Sequence, residues 1–215
     1  MSLLQLSDTQ KAIIDTVRDF VEKEVIPVAD ELEHRDEFPE EIVNKMKEMG
    51  LFGLNVPEEY GGIGESITTY ALTVVELARG WMSLSGVLNT HFMGNYLINK
   101  FGTDEQKQSF LPRMASGEIR AALAMSEPEA GSDVQAIRTK AIRDGDDYVV
   151  SGQKMWLTNG LRSGIVMTLV KTDPEADPPH KGMSMLIVEK EPGNPTPSPT
   201  LDVGKNIEKM GYKGV

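Results

Sequence analysis

The sequence of 215 residues contains no cysteine. Disulfides, thiolate nucleophiles and cysteine-held metal or iron–sulfur centres are therefore excluded, and nothing in the chain reports on a redox compartment. Histidine is scarce too, and His34, His91 and His180 form no pair with metal-ligand spacing. Positive charge is in deficit: 22 Lys and Arg face 33 Asp and Glu, for a formal charge of -11 and a pI near 4.8. Much of that deficit lies in 22–41, where Lys23 and Arg35 stand among a crowd of acids. Such a surface repels a phosphate backbone at long range, so nucleic acid is not an expected partner. No stretch approaches the roughly 20 apolar residues of a membrane span. The N-terminus shows no basic region followed by an apolar core and a cleavage site. The expectation is a cytoplasmic protein without a membrane span. There is no internal repeat.

The remainder is ordinary for a globular protein, with 40% hydrophobic and 26% charged residues. The length suffices for one large or two small domains. Ser7-Asp8-Thr9-Gln10 reads as a capping box, and Ile13, Ile14, Val17, Phe20 and Val21 follow at helical spacing. Pro27 is expected to disturb this helix. Pro39 opens a second helix with Ile42, Val43, Met46 and Met49 inside and Gly50 as its stop. The methionines fill core gaps. Residues 51–65 are punctuated by glycine and read as a loop whose acids, Glu58 and Glu59, are solvated. Helical patterns return over 66–78 and 83–100. His91, in the second of these, reads as a satisfied buried group and not a base. Thr103-Asp104-Glu105-Gln106 repeats the capping-box logic, opening a helix with Phe110, Leu111 and Met114 that ends near Gly117.

From Arg120 onward the pattern becomes strand-like. Asp144-Gly145 separates 137–143 from 148–152 as a hairpin, and 165–170 and 183–188 read as further strands. The segment 173–181, with three prolines, is an exposed loop. Pro192, Pro195, Pro197 and Pro199 make the next connection extended. Helices followed by strands predict an α+β protein, with an N-terminal all-α domain over 1–119 and a β domain over 120–215.

The chemistry concentrates in 123–160. Leu123-Ala124-Met125 is a short apolar run that passes into a polar loop at Ser126. Pro128 stiffens the turn, and Gly131 permits close backbone approach. Gly131-Ser132-Asp133 then sets bare backbone beside a hydroxyl and a carboxylate, which suits a polar ligand edge or a pyrophosphate. The alternative is a capped turn in which Asp133 bonds its own backbone. In Gly152-Gln153-Lys154-Met155-Trp156-Leu157-Thr158-Asn159 the alternation predicts a strand, with Lys154, Trp156 and Thr158 on one face and Met155 and Leu157 on the other. A flat aromatic beside a hydroxyl suits a planar heteroaromatic ligand. The alternative is a core tryptophan and a strand-end threonine before an Asn-Gly turn.

Taken together, Ala-Met-Ser-Glu-Pro-Glu-Ala-Gly-Ser-Asp at 124–133 and Gly-Gln-Lys-Met-Trp-Leu-Thr-Asn-Gly at 152–160 closely resemble the acyl-CoA dehydrogenase family of flavoproteins. Leu-Phe-Gly-Leu-Asn-Val-Pro-Glu-Glu-Tyr-Gly-Gly at 51–62, Phe110-Leu111-Pro112 and Gly117-Glu118 extend the resemblance over nearly the whole chain. Glu129 departs from it, since many members carry a small residue there. The resemblance implies a β-barrel or sandwich-like middle domain, with the family's C-terminal four-helix domain absent from this chain. It implies FAD as cofactor, contacted by Leu123, Met125, Ser126, Gly131, Ser132, Trp156 and Thr158, with Ser132 also touching substrate. The implied reaction removes a proton α to the thioester carbonyl of an acyl-CoA while hydride passes from the β-carbon to flavin N5. Electrons go on to an electron-transfer flavoprotein. No catalytic base and no metal ligand is assigned in this chain, because the family's base sits on the C-terminal domain. A homo-tetramer or homo-dimer is implied for the full-length protein, and 1–215 alone is expected to be inactive. Acyl-CoA oxidases and flavin monooxygenases of the same fold, or a non-catalytic binding subunit, are the alternatives.

Overall fold

The computed structural model describes residues 5–193 and 209–213. Two compact units divide the chain between Ile119 and Arg120.

The first unit is helical. Helix α1, Asp8–Phe20, starts at the capping box: the Ser7 hydroxyl accepts the Gln10 amide at 3.1 Å, and the Gln10 side chain accepts the Ser7 amide at 3.0 Å. Its apolar stripe buries Ile14, Val17 and Phe20. The disturbance expected at Pro27 is a single π turn, Val21–Val25, after which α2, Ile26–Arg35, continues without a break. Pro27 has no amide proton, and its ring crowds the carbonyl four residues back. The wide turn ahead of it, with the Ile26 amide reaching Val21, absorbs both. Helix α3, Glu40–Glu48, follows Pro39 and stops at Gly50, whose φ of 74° costs a glycine little. Val43 and Met46 are fully buried, while Met49 is only partly so. Helices α4, Ile67–Gly80, and α5, Met82–Phe101, add Leu77, Leu84 and Leu88 to the same core. Helix α6, Asp104–Ala115, opens on the second capping box, with the Gln106 amide on the Thr103 hydroxyl at 3.2 Å.

Most buried polar groups in this unit find partners, as folding demands, although Thr73 Oγ1 and Asn95 Oδ1 have none among the described residues. His91 is fully buried, with Nε2 3.0 Å from the Met114 carbonyl and its ring edge-on to Phe52. Glu76 lies between Arg18 and Arg79, at 2.8 and 3.1 Å. Burial alone would raise its carboxyl, but the two guanidinium groups outweigh that and hold it below the usual value. Residues 209–213, which the sequence pattern assigns to the β domain, lie with the helical unit. The Glu33 carboxylate gathers Trp81 Nε1 at 2.7 Å, the Ser83 hydroxyl at 3.2 Å and the Lys213 amide at 3.2 Å. The Tyr212 hydroxyl occupies the space a Cβ on Gly86 would fill. A carboxyl offered three donors, and a gap beside a glycine, are features no local pattern announces.

Among the described residues the second unit carries a mixed five-stranded sheet: β1 Ala121–Ala124, β2 Lys140–Asp144, β3 Asp147–Ser151, β4 Ile165–Lys171 and β5 Met183–Glu189. Strand β4 is its spine. It runs parallel to β1, from Ala121↔Ile165 to Ala124↔Thr168, antiparallel to β5 throughout, and meets β2 at Lys140↔Lys171. Its continuous apolar run fits a strand flanked on both edges, and Ile165 to Thr168 are buried. Strands β2 and β3 form the hairpin, turning at Gly145 with φ 63°. The expected strand from 137 begins only at Lys140, because a 3₁₀ turn at Val134–Ala136 delays entry to the sheet. Of the proline-rich connection, Pro195, Pro197 and Pro199 lie outside the described residues.

Candidate functional site

The singled-out residues occupy two segments of the β unit. The first leaves the sheet at the end of β1, where Leu123, Met125 and Ser126 are half-buried. Glu127 and Ala130 exchange backbone hydrogen bonds of 2.7 and 3.2 Å, closing a tight turn around exposed Pro128 and Glu129. The turn closes with Glu129 in place, so the departure from the family pattern leaves this turn intact. Gly131, Ser132 and Asp133 are exposed, and a Cβ at Gly131 would meet nothing within 4 Å. Asp133 makes no side-chain cap to the 3₁₀ turn that follows.

The second segment corrects the strand reading. Residues 152–157 join no ladder, and Trp156 adopts φ 62°. Side chains alternate only along extended backbone, so a left-handed residue breaks the register, and Trp156 and Thr158 share no strand face. Nor is Trp156 a core residue: it is 61% exposed. Leu157, partly buried, packs instead against Ala122, Ala124 and Val166. Thr158 is half-buried in the turn 158–162, with Asn159 at φ 64° and its Nδ2 3.4 Å from the Ala121 carbonyl. Lys190 braces the far side, donating to the carbonyls of Leu161 and Ser163 at 3.2 and 2.9 Å; its burial lowers the ammonium pKa. At Gly152, one step past the hairpin pair Lys140↔Ser151, any Cβ would strike Thr139 at 2.3 Å, so the second segment leaves the hairpin as only glycine allows.

Three bonds then join the segments. The Met155 amide donates to the Ser126 carbonyl at 2.9 Å. The Lys154 ammonium donates to the Met125 carbonyl at 3.0 Å and to the Glu127 carboxylate at 2.8 Å. Glu127 further accepts the amides of Arg138 at 2.6 Å and Thr139 at 3.0 Å. The side chains of Lys154 and Glu127 are only 9% and 3% exposed. Burial by itself would raise the Glu127 carboxyl; hydrogen bonds from Lys154 and from residues 138–139 outweigh it and hold the pKa at about 2. Thus Met125 and Ser126 are tied directly to the strand-like segment, whereas Gly131 and Ser132 lie farther along the first loop and Thr158 beyond Trp156. Glu127 and Lys154 themselves were not singled out by sequence. The available signal was a glutamate next to a half-buried apolar run and a lysine next to Met155, where a buried charge has to find a partner.

Among the described residues no helix is long and apolar enough to cross a membrane, and no three of His, Asp and Glu are grouped to hold a metal ion. Sequence models of the acyl-CoA dehydrogenase N-terminal and middle domains match residues 7–118 and 122–215. The chain belongs to the acyl-CoA dehydrogenase family. Among relatives, (2S)-methylsuccinyl-CoA dehydrogenase of Cereibacter sphaeroides is 39% identical over 98% of this chain and 39% of its own length. A chain in a solved structure described as electron transferring flavoprotein of Acidaminococcus fermentans superposes with TM-score 0.88 at 32% identity, covering 100% of this chain and 54% of that one. A glutaryl-CoA dehydrogenase from Mycobacterium smegmatis in complex with FADH2 gives TM-score 0.83 at 27% identity, over 96% and 50%. The chain spans about half the length of the curated relatives it matches. The enzymes of this family are oxidoreductases.

Proposed function

We propose that the protein binds FAD on the face made by Leu123, Met125, Ser126, Gly131, Ser132, Trp156 and Thr158. On this reading it takes part in α,β-dehydrogenation of an acyl-CoA thioester, and electrons pass to an electron-transfer flavoprotein. One observation carries the reading. Trp156 is a large aromatic left 61% exposed on a left-handed backbone, a conformation that costs a non-glycine residue about 1–2 kcal/mol. Neither the exposure nor the strain stabilises the chain by itself, and both make sense if a flat ligand lies against the indole. The open space at Gly131 and the half-buried hydroxyls of Ser126 and Thr158 add small polar groups. An apolar platform with a few convergent polar groups is what a flavin ring requires.

When bound, FAD supplies the hydride acceptor. The chain's own residues orient and shield. The Ser126 carbonyl is engaged by Met155, so its hydroxyl is the group offered to a polar ring edge. Trp156 excludes water beside it. Ser132, exposed beside Gly131, is placed to meet the polar part of a substrate. Glu127 is no base for the α-proton: its oxygens are taken by Lys154 and two amides, and a carboxyl held at about 2 is too weak a base for that task. We place the base outside residues 1–215, and with it the choice of acyl chain.

The visible spectrum of the full-length gene product, before and after anaerobic addition of a panel of acyl-CoAs, tests this. Flavin bands bleached by one class of thioester are the expected result. A colourless protein, or bound flavin that no thioester bleaches, overturns it. Peroxide formation in air would replace the electron-transfer flavoprotein by oxygen as acceptor.

A further inference from the structure

Lys154 and Glu127 have no role in holding or reacting with a ligand in the reading above, yet their charged side chains are only 9% and 3% exposed. A buried ion pair is a poor device for stability, because desolvation of two charges consumes most of what their attraction returns, and apolar residues of the same size serve as well. What such a pair supplies is registry. Here its bonds are distributed in a way that matters for one residue. The ammonium grips the chain on both sides of Ser126, at the Met125 carbonyl and the Glu127 carboxylate. The Ser126 carbonyl between them receives the amide next to Lys154. The same carboxylate holds the amides of Arg138 and Thr139, at the far end of the loop that carries Gly131 and Ser132. One charge pair therefore fixes both ends of the first loop and sets it against the residue preceding Trp156.

We propose that Lys154 and Glu127 are positioning residues, a buried buckle that sets the two flavin-facing segments in register, so that its loss loosens cofactor binding more than it loosens the fold. The inference rests on the FAD reading of this face. A purely structural pair would lower stability and leave the affinity of folded molecules for FAD unchanged.

The test uses the full-length protein stripped of flavin and reconstituted, comparing wild type with Lys154→Met, Glu127→Gln, Lys154→Arg and, as a control destabilised elsewhere, Leu111→Ala in the helical unit. Three quantities are read: the FAD dissociation constant, the melting temperature, and, in the flavin-free protein, hydrogen exchange at the Met155 amide. Lys154→Met and Glu127→Gln are expected to weaken FAD binding by about tenfold or more, as unfixed loops must be ordered on binding, and to speed Met155 exchange. Lys154→Arg, which keeps the charge, recovers part of the affinity. Leu111→Ala lowers the melting temperature without either effect. If Lys154→Met and Glu127→Gln lose only melting temperature, and bind FAD as wild type does, the buckle is structural and the proposal fails. If wild type itself binds no flavin, the FAD reading fails with it. Exchange at Met155, which needs no flavin, then shows whether the register is set by the pair.

Discussion

At the residue scale, Glu127 makes the clearest demand on conditions. Its carboxyl is held at about 2 in the folded chain, against an ordinary 4.5. A depressed pKa means the unfolded chain takes up the proton first as pH falls. The stabilisation from ionised Glu127 is thus complete above pH 4.5 and is lost progressively between 4.5 and about 2. Urea unfolding followed from neutral pH down to pH about 3 is expected to show wild type losing more stability than Glu127→Gln, which starts lower and falls less. Parallel curves for the two proteins would contradict the ion pair. Glu65 and Glu76, also lowered, the first by Thr69 and the second by its arginines, contribute to the acid limb of both proteins and cancel in the difference.

At the scale of elements, the helix starts are governed by side chains three residues apart. Ser7→Ala and Thr103→Ala each remove an acceptor for a first-turn amide and are expected to cost about 1 kcal/mol, read as a fall in the urea midpoint with an unchanged slope. Core substitution is a larger perturbation: Leu77 is fully buried, and Leu77→Ala is expected to cost about 2–5 kcal/mol. These starts were legible in sequence because caps and apolar stripes act over a turn or two. Strand β4 was legible for a similar reason, as a short unbroken apolar run. The segment 152–157 was not. Its residues alternate like a strand, but alternation states only which side chains differ in polarity and cannot reveal that Trp156 turns left-handed to leave the ladder.

At the scale of the whole molecule, the chain matches about half of each curated relative, and the buried Glu127, held at about 2, is too weak a base for the proposed reaction. Residues 1–215 expressed alone are expected to show no acyl-CoA oxidation with an artificial electron acceptor, whereas the full-length product is active. Turnover by 1–215 would place the base within this chain. With a formal charge of -11, the anionic thioester of the proposed function would have to be held by local donors and not drawn in by a basic field.

The sequence by itself determined the family, the order of helices before strands and the capped helix starts, and it singled out the two segments proposed to carry the chemistry. All of these rest on spacings of a few residues or on motifs read in line. Only the tertiary structure decided that Trp156 faces outward, that residues 209–213 lie with the helical unit, and that Lys154 and Glu127, 27 residues apart, close on each other around Ser126. The physical reason is the same in each case. A buried charge, an exposed indole or a gap beside a glycine acquires its meaning from the group that meets it across the fold, and distance along the chain carries no record of that meeting.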